Sequence, residues 1–482
     1  MLDSATEPHC LMNTVHDQNP YPPLGRVGKL AYTISFVTFL TIVGIVGAMR
    51  ETEQFPQILV SLTLYLATLL VPIYLLRTDA GWFHPLIFTS GLSFLHAIRR
   101  AKSYTDGMQE HGGIPGHSSA DLNDLIWQLL LIQVAAQIAY YLGYLGGPTG
   151  DNRIRFSTKN DPAVPLITVI SLVGIAFFIF LRSKGGLTDH MLDLGKGRVR
   201  QIEENQIFGI SAVVVNIGML MSLVLLAVAK TSLHWLMVAL TLPIVLFMKY
   251  ATAGSRSAMV YSMILCLIVV SLRGRKVRWS LYISGAVAAI VAMGALGQIR
   301  RGTWKGSDGL DEALASITAV DAFGQGVDEL ESRGAALNPV YAIMARVPQE
   351  VPYLMGESYL TLVTAPIPRA IWPAKPRSTG AIVGQTFFDS DAGMPPGPIG
   401  EALWNFGITG VLAVYLLFGA FHKYLATWYK TSSHNPVAIA LFAHTLWILQ
   451  PDVLMITSWM QTILIGYLTL RLIGVVRVAK PR

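Results

Sequence analysis

The run "IFGISAVVVNIGMLMSLVLLAVA", Ile207 to Ala229, carries no charged side chain over its whole length. An α-helix rises about 1.5 Å per residue, so roughly 20 such residues cross the hydrocarbon core of a bilayer. Working outward from this run, similar apolar stretches recur at 31–49, 57–76, 80–98, 122–145, 163–182, 232–249, 257–272, 280–297, 402–421, 437–450 and 459–476. The chain is therefore read as an all-α polytopic membrane protein with about 12 transmembrane helices.

Composition points the same way. Of 482 residues, 52% are hydrophobic and 13% charged, against about 25% charged in soluble domains; mean hydropathy is +0.50. The first thirty residues contain Asp3, Glu7 and Asp17 and lack the basic start and short apolar core of a cleaved signal, so the first span is expected to stay as an anchor. Two cysteines, Cys10 and Cys266, offer neither a disulfide framework nor a zinc set. The net charge of +7 fits loops that face anionic lipid and needs no nucleic acid.

Short basic segments orient the spans. Placing "RGRKVR" (273–278) and the terminal "RVAKPR" (477–482) inside satisfies the positive-inside rule and, with twelve crossings, puts both termini inside. Residues 298–400 then form a large outer loop, within which 309–331 reads as one amphipathic helix on a surface. Two outer loops remain basic against the rule, "RRAKS" at 99–103 and "KGRVR" at 196–200. An anionic ligand on that face would explain them, as would lipid-phosphate contacts or solvated loop charge.

The spans themselves hold no central Asp or Glu, which coupled transporters ordinarily need. His96, His234 and His444 lie inside them and read more simply as packing residues than as a relay. His111 and His117 in "HGGIPGH" lack companion ligands for zinc, and no phosphate-binding glycine loop or dinucleotide fingerprint is present. No cofactor or metal is expected, and the chemistry is placed at the outer face.

That face carries "APIPRAIWPAKPRSTG", Ala365 to Gly380. Pro366, Pro368, Pro373 and Pro376 fix the backbone and deny regular helix, leaving a stiff strap. On it Arg369 and Lys375 are preorganised cations, and Trp372 can anchor at the interface or lie against a sugar ring. A structural plug whose charges snorkel to water is the competing reading.

The strap also carries a resemblance. "GESYL" (356–360), "IPRAIWPAKP" (367–376) and "IGEALWNFGITG" (399–410) resemble the O-antigen and exopolysaccharide repeat-unit polymerases, the Wzy-type family, as do "GSR" (254–256) and "SKGGL" (183–187). The resemblance implies a metal-independent, inverting glycosyltransferase of GT-C-like architecture in the bacterial inner membrane. It implies a cytoplasmic tail over 1–30, nine transmembrane helices over 31–297, a periplasmic loop over 298–400, and three more helices with a short cytoplasmic tail over 401–482. Its partners would be a growing glycan on undecaprenyl pyrophosphate, a lipid-linked repeat unit as acceptor, membrane lipids and a chain-length regulator protein. Functional arginines in two outer loops are implied too: Arg198, separated from Gly209 by ten residues, and the pair Arg300 and Arg301.

Fixed cations stabilise the charge that grows on a pyrophosphate leaving group, so arginines can stand where a metal would otherwise act. Arg256, Arg369, Lys375, Arg198, Arg200, Arg300, Arg301 and Trp372 are the candidates for pyrophosphate and sugar binding. A carboxylate within reach of the acceptor hydroxyl can take its proton, which makes Glu401 and Glu357 the catalytic candidates beside Arg369. Glu401 also stands where a helix dipole would favour it, and Asp389 and Asp391 suit a turn as well as a sugar. A lipid-linked polysaccharide ligase shares these requirements; a lipid-linked oligosaccharide flippase would carry its cations between the spans instead.

Overall fold

The computed structural model describes residues 21, 25–49, 53–75, 81–106, 119–150, 156–157, 161–196, 206–253, 256–273, 279–304, 307–332, 338–364, 372, 377–390 and 393–478. The helices in chain order are α1 (Gly25–Ala48), α2 (Phe55–Leu75), α3 (Pro85–Asp106), α4 (Ser119–Gly146), α5 (Ala163–Ser183), α6 (Leu187–Lys196), α7 (Gln206–Val228), α8 (Ser232–Ala253), α9 (Arg256–Leu272) and α10 (Trp279–Trp304). They continue as α11 (Ser307–Ser316), α12 (Ala319–Ser332), α13 (Asn338–Arg346), α14 (Glu357–Thr364), α15 (Thr379–Phe388), α16 (Gly397–Ser432), α17 (Pro436–Ile448) and α18 (Val453–Leu472). Among the described residues the one sheet contact is an antiparallel pairing of β1 (Phe156–Ser157) with β2 (Arg477–Val478).

Each apolar run read from the sequence falls on a helix, although the run at 402–421 is interrupted at Phe406–Gly407. Among the described residues nine helices are long and apolar enough to cross a membrane, and Pro85–Ile98, Ala258–Leu272 and Pro436–Ile448 are shorter apolar helices. The chain is an all-α polytopic membrane protein. α7 is the most enclosed of the long spans; Leu220, Leu223, Val224 and Leu225 are fully buried at the centre of one core cluster.

Contacts sort the helix ends into two faces. On one, Tyr21 donates to Ala426 O (3.4 Å) and packs against Tyr429, Asp161 pairs with His234 (3.0 Å), and β1 meets β2. Tyr21, Asp161 and β2 thus lie on one face. On the opposite face lie the end of α3, the start of α16, the start of α18 and the described residues of 338–364 and 377–390.

Two expectations are corrected. The amphipathic segment 309–331 is two helices, broken at Ile317–Thr318. Thr318 Oγ1 accepts the N–H of Asp321 (3.1 Å) and donates to its carboxylate (2.6 Å), a side-chain N-cap that restarts the chain as α12. α12 does not lie on a surface by an apolar stripe alone. It docks on α10 through small residues: a Cβ added to Gly294 would stand 1.7 Å from Ala322 O, and one on Gly326 2.1 Å from Ile290 O. Backbones approach this closely only where side chains are absent.

The second correction concerns the tenth span, expected from 402. α16 is not continuous: Phe406 (φ −143°, ψ 18°) and Gly407 (φ 64°, ψ −153°) leave helical geometry. Residues 397–405 form a short helix of their own, and the spanning helix starts after the break. It packs on α4 through Gly143 and Gly419, whose added Cβ atoms would meet Leu416 O at 1.9 Å and Tyr140 O at 2.0 Å.

Candidate functional site

The break at Phe406–Gly407 is held by hydrogen bonds from the segment 352–358. Leu354 N donates to Trp404 O (3.0 Å), supplying the partner that the interrupted helix would have given. Trp404 Nε1 donates to Pro352 O (3.2 Å). Asn405 is fully buried and acts in three directions: its Nδ2 donates to Ser358 Oγ and to Glu401 O, both at 2.8 Å, and its Oδ1 accepts Gly356 N–H at 3.0 Å. Gly356 (φ 93°) sits in the left-handed region that this tight approach demands.

Glu401 lies one turn before Asn405 and is 2% exposed. Its Oε1 accepts the hydroxyl of Thr379 (2.7 Å), and its Oε2 accepts the backbone N–H of Val453 (2.8 Å). The dipole that favours Glu401 is therefore that of α18, not of its own helix as the sequence suggested. Asp452 caps the same helix, its Oδ1 accepting Met455 N–H (2.9 Å). Burial pushes the Asp452 carboxyl up to about 7, and the nearby Glu401 charge adds to this, while backbone N–H groups of Met455 and Leu454 oppose it. The Tyr359 hydroxyl is raised by burial and then by Glu401 and Asp452. Two carboxylates and a phenol thus share one enclosed place.

The described segments on either side of the proline run are tied to this frame. Upstream of the run, α14 begins at Glu357, whose side chain is exposed, and is tied through Ser358 to Asn405. Downstream, Thr379 is tied to Glu401. Of the strap, Trp372 is described and is 38% exposed; Arg369 and Lys375 lie outside the described residues, as do Arg198 and Arg200. Arg256 opens α9 and Arg300 lies near the end of α10, with their side chains outside the description. Arg301 is exposed and donates to Gln325, joining α10 to α12. Asp389 is exposed in the left-handed C-cap of α15, the turn role foreseen for it, and Asp391 lies outside the described residues.

The structure brings in two residues that sequence reasoning did not select. Asp452 follows a Pro and opens a span, and its sequence signature is only that of an N-cap. Arg100 belongs to the basic "RRAKS" segment, but which of its charges turns inward is not readable from the run. It is 5% exposed, its guanidinium lies 5.4 Å from the centre of the Tyr341 ring, and it acts electrostatically on Tyr65 and Tyr415. The Tyr341 ring that Arg100 meets belongs to the buried cluster that holds Ile399, Ala402 and Trp404 around Glu401, and Glu401 in turn reaches Val453 beside Asp452, so Arg100 and the carboxylates border one region.

Beneath that region a cavity of about 60 Å³ is lined by Ser93 and His96 of α3, Gln133 of α4, Tyr415 and His422 of α16, and Gln450. Gln133 Oε1, Gln137 Nε2 and His422 Nε2 are buried there without a hydrogen-bond partner, a lining suited to ordered water. His234, by contrast, is held by Asp161 on the opposite face, a packing role.

The family model of O-antigen polysaccharide polymerase Wzy matches residues 31–477, nearly the whole chain. No curated protein matches, and no solved structure matches.

Proposed function

This chain belongs to the O-antigen polysaccharide polymerase Wzy family, a multi-pass membrane family that joins lipid-linked oligosaccharide repeat units, and from that premise we propose where and how it does so. The reaction takes place at the face that carries residues 298–400, the periplasmic face of the inner membrane, with both termini in the cytoplasm. The donor is a growing glycan on undecaprenyl pyrophosphate and the acceptor a single lipid-linked repeat. The observation that carries this reading is the frame of Glu401 and Asn405, to which Ser358 before the cationic segment and Thr379 after its prolines are hydrogen-bonded.

In the proposed step the acceptor hydroxyl attacks the anomeric carbon of the donor's reducing-end sugar. The bond from that carbon to the pyrophosphate oxygen breaks, the electron pair leaves with the pyrophosphate, and the anomeric configuration inverts. Glu357, exposed at the start of α14, is the carboxylate placed to take the hydroxyl proton. Glu401, enclosed and doubly hydrogen-bonded, positions the strap and the start of α18. Arg369 and Lys375 on the strap, with Arg256 and the loop arginines Arg198, Arg200, Arg300 and Arg301, meet the growing negative charge. Trp372 offers a face to a sugar ring. Holding two lipid-linked glycans end to end contributes rate through proximity.

Cysteine-accessibility mapping tests the placement. A cysteine at Asp308, exposed ahead of the strap, is labelled from the periplasm in intact cells if the reading holds; labelling only after the inner membrane is opened overturns it. The flippase alternative is disfavoured because the described spans hold no carboxylate in their central turns and the cations gather at helix ends and loops. A ligase would leave full-length glycan on its lipid carrier.

A further inference from the structure

We infer that Arg100 is the anion ligand at the base of this site, taking a phosphate-class group, the pyrophosphate of the lipid-linked donor. The inference rests on the function proposed above and assigns to that site a residue of the basic segment 99–103 that is not among the candidate site residues named from the sequence.

Arg100 lies two residues beyond the apolar part of α3, which ends at Ile98, yet its side chain does not snorkel to water. It is 5% exposed, and Nε and Nη1 are buried without a hydrogen-bond partner. A guanidinium stays charged at any working pH, and leaving its donors unmade in a buried place is costly. The Tyr341 ring gives a cation–π contact at 5.4 Å, which does not replace the missing acceptors. No carboxylate forms an ion pair with Arg100 among the described residues, although Glu401 and Asp452 border the same region. Glu401 is instead satisfied by Thr379 and Val453, and Asp452 by its own helix. A charge kept buried without a partner, beside carboxylates that are engaged elsewhere, is left open for an external anion.

Its surroundings fit that use. Ser93 and His96, on the same face of α3 as Arg100, line the cavity under the site. Tyr65 and Tyr415 share both the cavity and the field of Arg100. The planar fork of arginine suits two phosphate oxygens at once, which a point charge does not.

The test uses the full-length protein purified in uncharged detergent, titrated calorimetrically with inorganic pyrophosphate and with farnesyl pyrophosphate. Wild type is expected to bind, with Kd weakened at least about tenfold in Arg100→Gln and less in Arg100→Lys. Tighter binding of the farnesyl form identifies the lipid-linked group as the source, and equal binding identifies the bare pyrophosphate chemistry; both support the site. Because Arg100 Nε and Nη1 have no internal acceptor, unliganded Arg100→Gln should melt at or above the wild-type temperature. Unchanged Kd in Arg100→Gln, or no binding by wild type, overturns the inference, as does a lowered melting temperature with unchanged binding. Glycan ladders separate the two readings. Binding lost with a wild-type ladder removes Arg100 from the reaction, whereas a wild-type ladder in a strain lacking the whole chain removes the polymerase reading and leaves the anion site standing.

Discussion

Glu401 Oε2 accepts the backbone N–H of Val453 at 2.8 Å, so a carboxylate on the short helix ahead of one span occupies the N-terminus of another. With Thr379 on its other oxygen, the same side chain joins the end of the strap to α18. Removing a buried hydrogen-bonded carboxylate leaves two donors unsatisfied, each worth about 1–3 kcal/mol. Glu401→Ala should lower the melting temperature of the purified protein clearly. Glu401→Gln, which keeps one carbonyl acceptor, should lower it less. Equal stability of all three forms would contradict the positioning role.

Gly407 holds φ 64° and ψ −153°, a region closed to side chains at a cost on the order of 1–3 kcal/mol. An added Cβ would also stand 3.2 Å from the Tyr353 hydroxyl. Gly407→Ala is therefore expected to destabilise the break and shorten the glycan ladder, with blotting against the membrane fraction to correct for protein level. A stable protein with a full ladder would show that the break is incidental.

Docking of α12 on α10 depends on Gly294 and Gly326. Gly326→Val puts methyl groups where Ile290 O already stands, and undocking follows because the backbone cannot give way. Limited proteolysis should then cut between 305 and 337 at least tenfold faster than in wild type; unchanged cleavage would refute the close contact.

Asp452 gives a pH dependence of definite sign. Its folded pKa, about 7, lies above the ordinary value near 3.9, so the folded state binds the proton more tightly than the unfolded one. The contribution to stability is complete below about pH 4 and is lost as pH rises through 7. Asp452→Asn keeps an oxygen for Met455 N–H and cannot ionise. Its melting temperature should vary less between pH 4 and 7 than that of wild type; parallel curves would rule Asp452 out as the titrating group.

The spans were legible because a bilayer demands long apolar runs, and each run became a helix. Glu401, Glu357 and the strap were legible as residue types that stand out against an apolar chain. The break at Gly407 was not, since "NFGITG" reads as helix until Asn405 is seen to bond Gly356 and Ser358 nearly fifty residues away. Arg100 and Asp452 were missed for a related reason. Burial of one arginine among several, and the enclosure that raises one carboxyl, arise from packing between α2, α3, α13, α16 and α18, and no local pattern announces it. Arg369 and Lys375, the strap cations favoured from sequence, lie outside the described residues.

The most direct measurement is the length distribution of surface and lipid-linked glycan in a deletion strain complemented with wild type, Glu357→Gln or Arg369→Ala. The account predicts that the deletion leaves surface glycan one repeat long, that wild type restores the ladder, and that neither variant does so although each is present in the membrane. Full-length chains persisting on the lipid carrier in the deletion strain, untransferred, or single repeats trapped on the cytoplasmic side, would contradict it.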